Sequence, residues 1–373
     1  LFDVAIIGAG INGACIAHEL TQKGKRVAIF DMEGVAGGGS GAAGAFISPK
    51  FSKEGELREL LNDAFVYSLA FYTENFSRFL RKAPLLHIAK DEEEANNIRA
   101  YKQDTPLALC TPPKELLARL TQHAKTQESV CIEAGVADAQ GMCRALCKNA
   151  QIVRFEVRSL VYDDGMWIIN ETYAAKEVVL ATGAYEPLLR EPYNPIRGIW
   201  GHRIDVATTT PNDFSLHQFV SIAPSLEGTL AIGATHNVHY HPQKNKEPYD
   251  IQAGREELLE KASRTMQLEN VAVLKDYTGL RSGSSDYMPL VGRVVMAEET
   301  LAAKAQRFDT KNPDYELFSY YPNLTMINGN GGYGFVLAPY LAKMLSEYIV
   351  SEKEIPPRLV PARFFARWAR RRK

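Results

Sequence analysis

Gly8, Gly10 and Gly13, in the run FDVAIIGAGINGACIAHEL, are followed 18 residues later by Asp31, at the end of VAIFD. These residue types at this spacing suit a dinucleotide: backbone amides hold a pyrophosphate, and a carboxylate bonds ribose hydroxyls. Gly8 would permit a tight turn, Gly10 would let amides reach the pyrophosphate, and Gly13 would let helix and strand pack closely. The elements that must position them are legible around them. Residues 4–7 read as a strand, a helical stretch runs to Lys23, and residues 27–30 read as a second strand. A glycine-rich turn with no ligand is the plain alternative.

Two further stretches have glycines where close backbone approach would be needed. The run GVAGGGSGAAGAFISPK comes directly after Asp31, too soon for an ordinary βαβ continuation, and suits a loop lying along an extended cofactor. Ser40, Gly41 and Gly44 fall in it, and its placement favours FAD over NAD. Much later, AAKEVVLATGAYEPLL gives a buried strand over residues 178–181 that delivers Thr182 and Gly183 toward the same ligand. LTMINGNGGYGFVLAPYLAKMLSEYI then reads as a strand over residues 324–327, a turn holding Gly329, Gly331, Gly332, Tyr333 and Gly334, and a helix. Helix amides at that turn would stabilise negative charge on a reduced flavin. A purely structural glycine loop is the competing reading of this third stretch.

The totals set outer bounds. A chain of 373 residues, 46% hydrophobic and 23% charged, has an ordinary globular balance and room for two domains. No apolar run reaches the roughly 18 residues a membrane span needs, and no signal peptide is visible, so a soluble cytoplasmic protein without integral membrane association is expected. The chain opens on Leu1 at a strand, which suggests that something upstream has been trimmed. Cys15, Cys110, Cys131, Cys143 and Cys147 make an odd count with no CxxC pair and are expected as reduced, mostly buried thiols. Cys143 and Cys147 lie four apart in GMCRALCKNA, a spacing that also suits packing residues on a helix face. His236, His239 and His241, in THNVHYHPQ, look like a loop after a strand rather than metal ligands, and no metal is expected. The acidic run Asp91–Glu94 is expected as a solvated helix face.

Taken together with YTGLRSGSSDYMPLVGRVV, these stretches resemble the D-amino-acid-oxidase-like class of FAD enzymes, which includes glycine oxidase and sarcosine oxidase. The likeness covers nearly the whole chain. Within the class, SGAAGAFISPKFSKEGELRELLNDAFVYSLAFY is similar to the FAD-dependent oxidoreductase half of the bifunctional tRNA 5-methylaminomethyl-2-thiouridine biosynthesis enzymes. The chain departs from the pattern twice, at Tyr333-Gly334 where relatives tend to carry Arg-Gly, and at Arg197-Gly198-Ile199 where RGQ is usual. The resemblance implies an α/β fold with a Rossmann-like FAD-binding domain interleaved with a mostly antiparallel β-sheet substrate domain. The expected division is residues 1–83, 131–195 and 277–350 for FAD, residues 84–130 and 196–276 for substrate, and residues 351–373 as a basic C-terminal tail.

The resemblance also implies a chemistry. Arg281 stands where glycine-oxidase-like relatives place the arginine that grips a substrate carboxylate, with an ordinary salt bridge as its bland alternative; Tyr333 would meet both cofactor and substrate. The tRNA-modifying likeness implies oxidation of 5-carboxymethylaminomethyl-(2-thio)uridine at the wobble position, releasing glyoxylate and leaving the aminomethyl product. Dioxygen is the expected electron acceptor, with Lys50, Lys53 and His202 as candidate charges near the flavin. A methyltransferase, upstream or separate, is an implied partner, and none lies within these residues. A small-molecule amino-acid oxidase or dehydrogenase acting on glycine, sarcosine or a D-amino acid is the second reading, and a non-catalytic flavoprotein or RNA-binding subunit the third. The final segment carries Arg363, Arg367, Arg370, Arg371, Arg372 and Lys373 with no acid, while the whole chain is at −1. It could meet RNA phosphates, an anionic membrane surface, or only water.

Overall fold

A computed structural model describes residues 1–185, 187–303 and 313–371. Two sheets organise them. In the first, strands Tyr320–Asn328, Tyr173–Leu180, Phe2–Ile7, Val27–Asp31 and Gln151–Arg154 lie side by side and parallel. Leu290–Val295 joins antiparallel at one edge, and Leu160–Asp163 and Met166–Ile169 form an antiparallel pair beside Tyr173–Leu180. The central strands are buried on both faces, with Ala5, Ile6, Ala28 and Ile29 wholly inaccessible, which is why they read as continuous apolar runs. Helices Ile11–Gln22, Glu56–Asn75 and Gly334–Ser351 cover one face.

The second sheet runs Ala272–Gly283, Arg197–Ala207, Thr229–Gly233, Ser221–Ile222, Ser215–His217, Leu80–Ile88, Ser129–Ala137, Phe46–Ile47. All its pairings are antiparallel except that of Ser215–His217 with Leu80–Ile88. Helix Ile251–Thr265 packs Leu258 and Ala262 against Ile204 and Ile232 on one side. Three strands of this sheet, Leu80–Ile88, Ser129–Ala137 and Ala272–Gly283, run across or beyond the sequence boundaries at 83, 130 and 276. The reason is physical: alternation along a strand marks its buried face, not the sheet that receives it.

The late glycine helix contains Pro339, which cannot donate to the Phe335 carbonyl one turn earlier. The buried hydroxyl of Tyr72 donates to that oxygen instead at 3.1 Å, and Ser68 Oγ donates to Val336 O at 2.6 Å. A proline is thereby tolerated inside a buried helix.

Four expectations need correction. Cys110 and Cys131, expected as free thiols, form a disulfide with Cα atoms 5.0 Å apart. An antiparallel bridge between Leu109 and Ile132 brings them together, a pairing that 21 residues of separation do not announce. The acidic run does open a helix with Asp91, Glu92 and Glu93 exposed, as expected, and only Glu94 departs: Asp91 caps the helix by accepting from Glu94 N, and the Glu94 side chain turns inward to within 3.3 Å of His87 Nε2. Residues expected as a basic tail include the helix Ala362–Arg371, whose Phe364, Phe365, Ala366 and Ala369 are buried. Arg363 is buried there too, with Nε and Nη2 each 3.1 Å from Asp286, while Arg367 reaches the same carboxylate at 2.8 Å. Arg372 and Lys373 lie outside the described residues. Finally, His202 is no free charge: it is fully buried, with Nε2 3.0 Å from Asp276 Oδ1. Among the described residues no helix is long and apolar enough to cross a membrane.

Candidate active site

The three glycine turns are the places where the two sheets and the helices meet. At the first, Gly8 has φ of 109°, and a methyl added there would lie 2.3 Å from Ala181 O. A methyl on Gly13 would lie 1.9 Å from Gly8 O, so the helix Ile11–Gln22 can start this close to the strand only on glycine. That helix has no cap of its own. Ser40 Oγ accepts from Ile11 N at 2.9 Å and keeps its own proton to donate to an anion. Asp31 is fixed at its strand end by three amides, from Ala9 at 2.8 Å and from Glu33 and Gly34 at 2.9 Å.

The loop after Asp31 crosses to the second sheet. Gly39 packs so tightly on the strand Ala272–Gly283 that an added methyl would stand 2.5 Å from Leu280 O. Gly41 and Gly44 continue the loop, close against Ala36 O and the Phe46 ring. On the other side, Thr182 and Gly183 leave the strand Tyr173–Leu180, with Gly183 at φ 66° and its carbonyl accepting from Asn328 Nδ2 at 2.8 Å. A cavity of about 350 Å³ opens beside them, lined in part by Tyr185, Arg190, Tyr193 and Asn328.

The third turn closes the ring. Gly331 N donates to Ser282 O at 2.8 Å, Asn330 Nδ2 donates to Asn12 Oδ1 at 2.7 Å, and Gly334 lies against Ile11. Nothing lies within 4 Å of where a methyl would sit on Gly331 or Gly332. Asn12, Asn328 and Asn330 were missed by sequence reasoning, although all three stand inside the quoted glycine runs. Asparagine between glycines reads as turn chemistry, and only the fold shows the side chains tying one turn to another.

Arg281 lies one residue from this junction. Its Nη2 donates to Thr235 O at 2.8 Å, and it lies over Gly201, where an added methyl would stand 2.4 Å from the same nitrogen. The guanidinium is half-buried and pairs with no carboxylate among the described residues. Burial pulls it below its ordinary value, yet arginine stays charged at neutral pH. Neighbouring His236 is also lowered, by burial first and then by the Arg281 charge, which keeps it neutral. Tyr333 sits at the start of the late glycine helix with Lys50 Nζ 5.8 Å from its ring centre, and burial raises its phenol above the ordinary value. Lys50 is half-buried and lowered by burial, whereas Lys53 is exposed.

The other candidates fall elsewhere. Cys143 and Cys147 are buried in the first core cluster, and burial pushes the Cys147 thiol up to about 12. Among the described residues no group of three or more His, Cys, Asp or Glu side chains could hold a metal.

The residues present fit an extended flavin dinucleotide. Two helix N-termini and three glycine turns meet, the backbone at Gly331 and Gly332 is accessible, and Asn330 Oδ1 is buried with no partner. Fold and cradle together define a flavin-dependent oxidoreductase. Residues 3–348 match the DAO family, described as FAD dependent oxidoreductase, and the chain belongs to that family and uses FAD. It is 26% identical over 96% of its length to the tRNA 5-methylaminomethyl-2-thiouridine biosynthesis bifunctional protein MnmC of Legionella pneumophila (strain Corby), covering 56% of that protein. The protein of the same name from Caulobacter sp. (strain K31) is 27% identical over 98% of this chain and 58% of its own. The chain thus spans a little over half the length of these curated relatives. Among solved structures, glycine oxidase from Geobacillus kaustophilus superposes with a TM-score of 0.73 at 23% identity, over 95% of each chain. L-proline dehydrogenase from P. horikoshii gives 0.73 at 19% identity, over 99% of this chain and 98% of its own. These likenesses show a D-amino-acid-oxidase-like α/β fold.

Proposed function

We propose that this oxidoreductase acts on a secondary amine, the 5-carboxymethylaminomethyl arm of a tRNA wobble uridine or its 2-thio form. The carrying observation is Arg281, a half-buried guanidinium beside the glycine cradle whose acceptor among the described residues is a carbonyl, that of Thr235. A carboxylate-bearing substrate would supply the missing anion, and a charge-assisted contact contributes about 1.5–3 kcal/mol. The names of the curated relatives support tRNA as the bearer of that group.

In this reading Gly8, Gly10, Gly13 and Asp31 hold the nucleotide end of FAD. Ser40, Gly41, Gly44, Thr182 and Gly183 flank it, and Gly329, Gly331, Gly332, Tyr333 and Gly334 border the ring. When bound, FAD would supply the two-electron acceptor for the hydride that leaves the carboxymethyl carbon. Arg281 grips the carboxylate and so fixes which carbon is presented, a positioning contribution. Neutral His236 adds no competing charge, and Tyr333 covers the site from the helix start. Loss of hydride from carbon and a proton from nitrogen leaves an imine, which water splits into glyoxylate and 5-aminomethyl-(2-thio)uridine. Dioxygen is the proposed final electron acceptor, and a methyltransferase, on the same chain or separate, would consume the product.

The test follows flavin bleaching without oxygen, offering tRNA bearing carboxymethylaminomethyl-uridine and, in parallel, glycine, sarcosine and D-alanine. Bleaching by the tRNA is expected. Bleaching by free amino acids alone would replace this reading with a small-molecule oxidase. Arg281→Met should retain FAD and lower kcat/KM about 10- to 100-fold; wild-type turnover in that variant would remove Arg281 from the site.

A further inference from the structure

The ladder that sets Arg281 opposite Ile199 ends two residues further on, where Gly283 faces Arg197. Alternate residues of a strand share a face, so Arg197 lies on the face of the second sheet that carries Arg281, about 7 Å along it. It is exposed and meets no carboxylate among the described residues. Past the strand end the chain turns through residues 284–288 and holds out Tyr287, 77% exposed and at φ 64°, where a bulky residue is uncommon. The turn is clamped. Tyr287 N donates to Ser284 O at 3.3 Å, Met288 N donates to Asp286 Oδ1 at 3.2 Å, and Arg363 and Arg367 of the C-terminal helix hold the same Asp286 carboxylate. A ring that fills no core, on backbone fixed in a sparsely populated region, points to use by a partner.

This surface continues beside the third glycine turn. A methyl on Gly329 would stand 3.6 Å from Ser284 Cβ, 3.4 Å from Ile196 Cδ1 and 3.2 Å from Leu290 Cδ1, so the Tyr287 turn and the residue before Arg197 meet at that glycine. Ile196 and Leu290 also line the cavity of about 350 Å³ beside Thr182 and Gly183. Its wall includes Arg190 and Lys244, both exposed and without a carboxylate partner among the described residues. The acid described in that wall, Glu191, is engaged, accepting from the Tyr321 hydroxyl at 2.7 Å and from Ala297 N at 3.2 Å.

Three cations without acids and one exposed aromatic ring, grouped about a cavity, suit single-stranded RNA, whose phosphates seek charge and whose unstacked bases seek a flat apolar face. A lipid surface would need a wider exposed apolar face than one phenol provides. We propose that this surface docks the RNA strand flanking the modified uridine, with Tyr287 stacking a neighbouring base and Arg197, Arg190 and Lys244 meeting phosphates. The shared face of Arg197 and Arg281 lets one strand be held at its backbone while its side arm reaches the cradle. The proposal rests on the tRNA reading above and adds the surface that holds the RNA.

Fluorescence polarisation of a labelled anticodon stem–loop bearing 5-carboxymethylaminomethyl-uridine tests it, beside flavin reduction without oxygen by that RNA and by the free modified nucleoside. Tyr287→Ala should weaken RNA binding about tenfold and raise half-saturation by RNA about tenfold relative to half-saturation by the nucleoside, which has no flanking base. Tyr287→Phe, which keeps the ring, should bind RNA as wild type does. Arg197→Ala should reduce the slope of log K against log salt by about 0.7. Unchanged RNA affinity in Tyr287→Ala, or an unchanged slope in Arg197→Ala, overturns the docking surface; if the wild-type flavin is still reduced by the RNA, the tRNA reading stands. Binding to phosphatidylserine vesicles that Arg197→Ala weakens, with RNA affinity unaltered, would give the surface to a membrane instead. If neither RNA nor nucleoside reduces the wild-type flavin, the tRNA reading fails and this surface with it.

Discussion

At the scale of single residues, the charges of the second sheet divide by whether an acid is within reach. Among the described residues Arg281 pairs with none, whereas Asp276 collects Arg255 at 2.9 Å and the buried His202 at 3.0 Å. The Arg255 bonds and then the His202 bond outweigh burial and hold the Asp276 carboxyl down at about 2. A carboxyl depressed from its ordinary value stabilises the fold fully above about pH 4 and loses that contribution as pH falls through its folded value. Asp276→Asn should therefore cost about 2 kcal/mol at pH 7. In urea titrations the gap from wild type should be equal at pH 7 and pH 5 and narrower at pH 3. A gap that already closes between pH 7 and pH 5 would mean that another group carries the effect.

At the scale of elements, the late glycine helix shows what a sequence does and does not disclose. Its start at Gly334 and the strand before it are visible in the glycine run and the apolar stretch at residues 324–327. The fingerprint strand and helix are equally plain, since turn, periodicity and the acid at Asp31 agree. What keeps Pro339 inside a buried helix is not visible, because the compensating hydroxyl belongs to Tyr72, 263 residues from its acceptor. The same holds for the Cys110–Cys131 pairing and for the sheet that takes Ala272–Gly283: each depends on a partner distant in sequence. Arg281 itself carries no local signal, and only the family resemblance singled it out as a candidate. Tyr72→Phe should leave the Phe335 carbonyl without its donor and cost about 1–3 kcal/mol in urea unfolding. A variant as stable as wild type would show that the carbonyl is satisfied in some other way.

At the scale of the whole molecule, the C-terminal helix ties the end of the chain to the segment that follows the arginine strand. Arg363 is 5% exposed and bonds Asp286 together with the carbonyls of Met288, at 2.9 Å, and Pro289, at 3.1 Å. Burial alone would raise the Asp286 carboxyl, and Arg363 with Arg367 reverses this, so that it lies below its ordinary value. Removing Arg363 takes two donors from a half-buried carboxylate and leaves the Pro289 carbonyl without the donor Arg363 gives it, which puts the cost of Arg363→Ala at about 3–5 kcal/mol. Arg371, exposed at the helix end, should be worth less than about 0.5 kcal/mol. RNA binding reverses the order of interest. A guanidinium already committed to Asp286 cannot also neutralise phosphate, so the segment offers RNA fewer cations than its composition implies. If this face meets the tRNA, Arg371→Ala should leave thermal unfolding unchanged and reduce the slope of log K against log salt by about 0.7. A slope that drops instead in an Arg363→Lys variant that remains folded would place the phosphate contact on the buried side and contradict the docking seen for this helix.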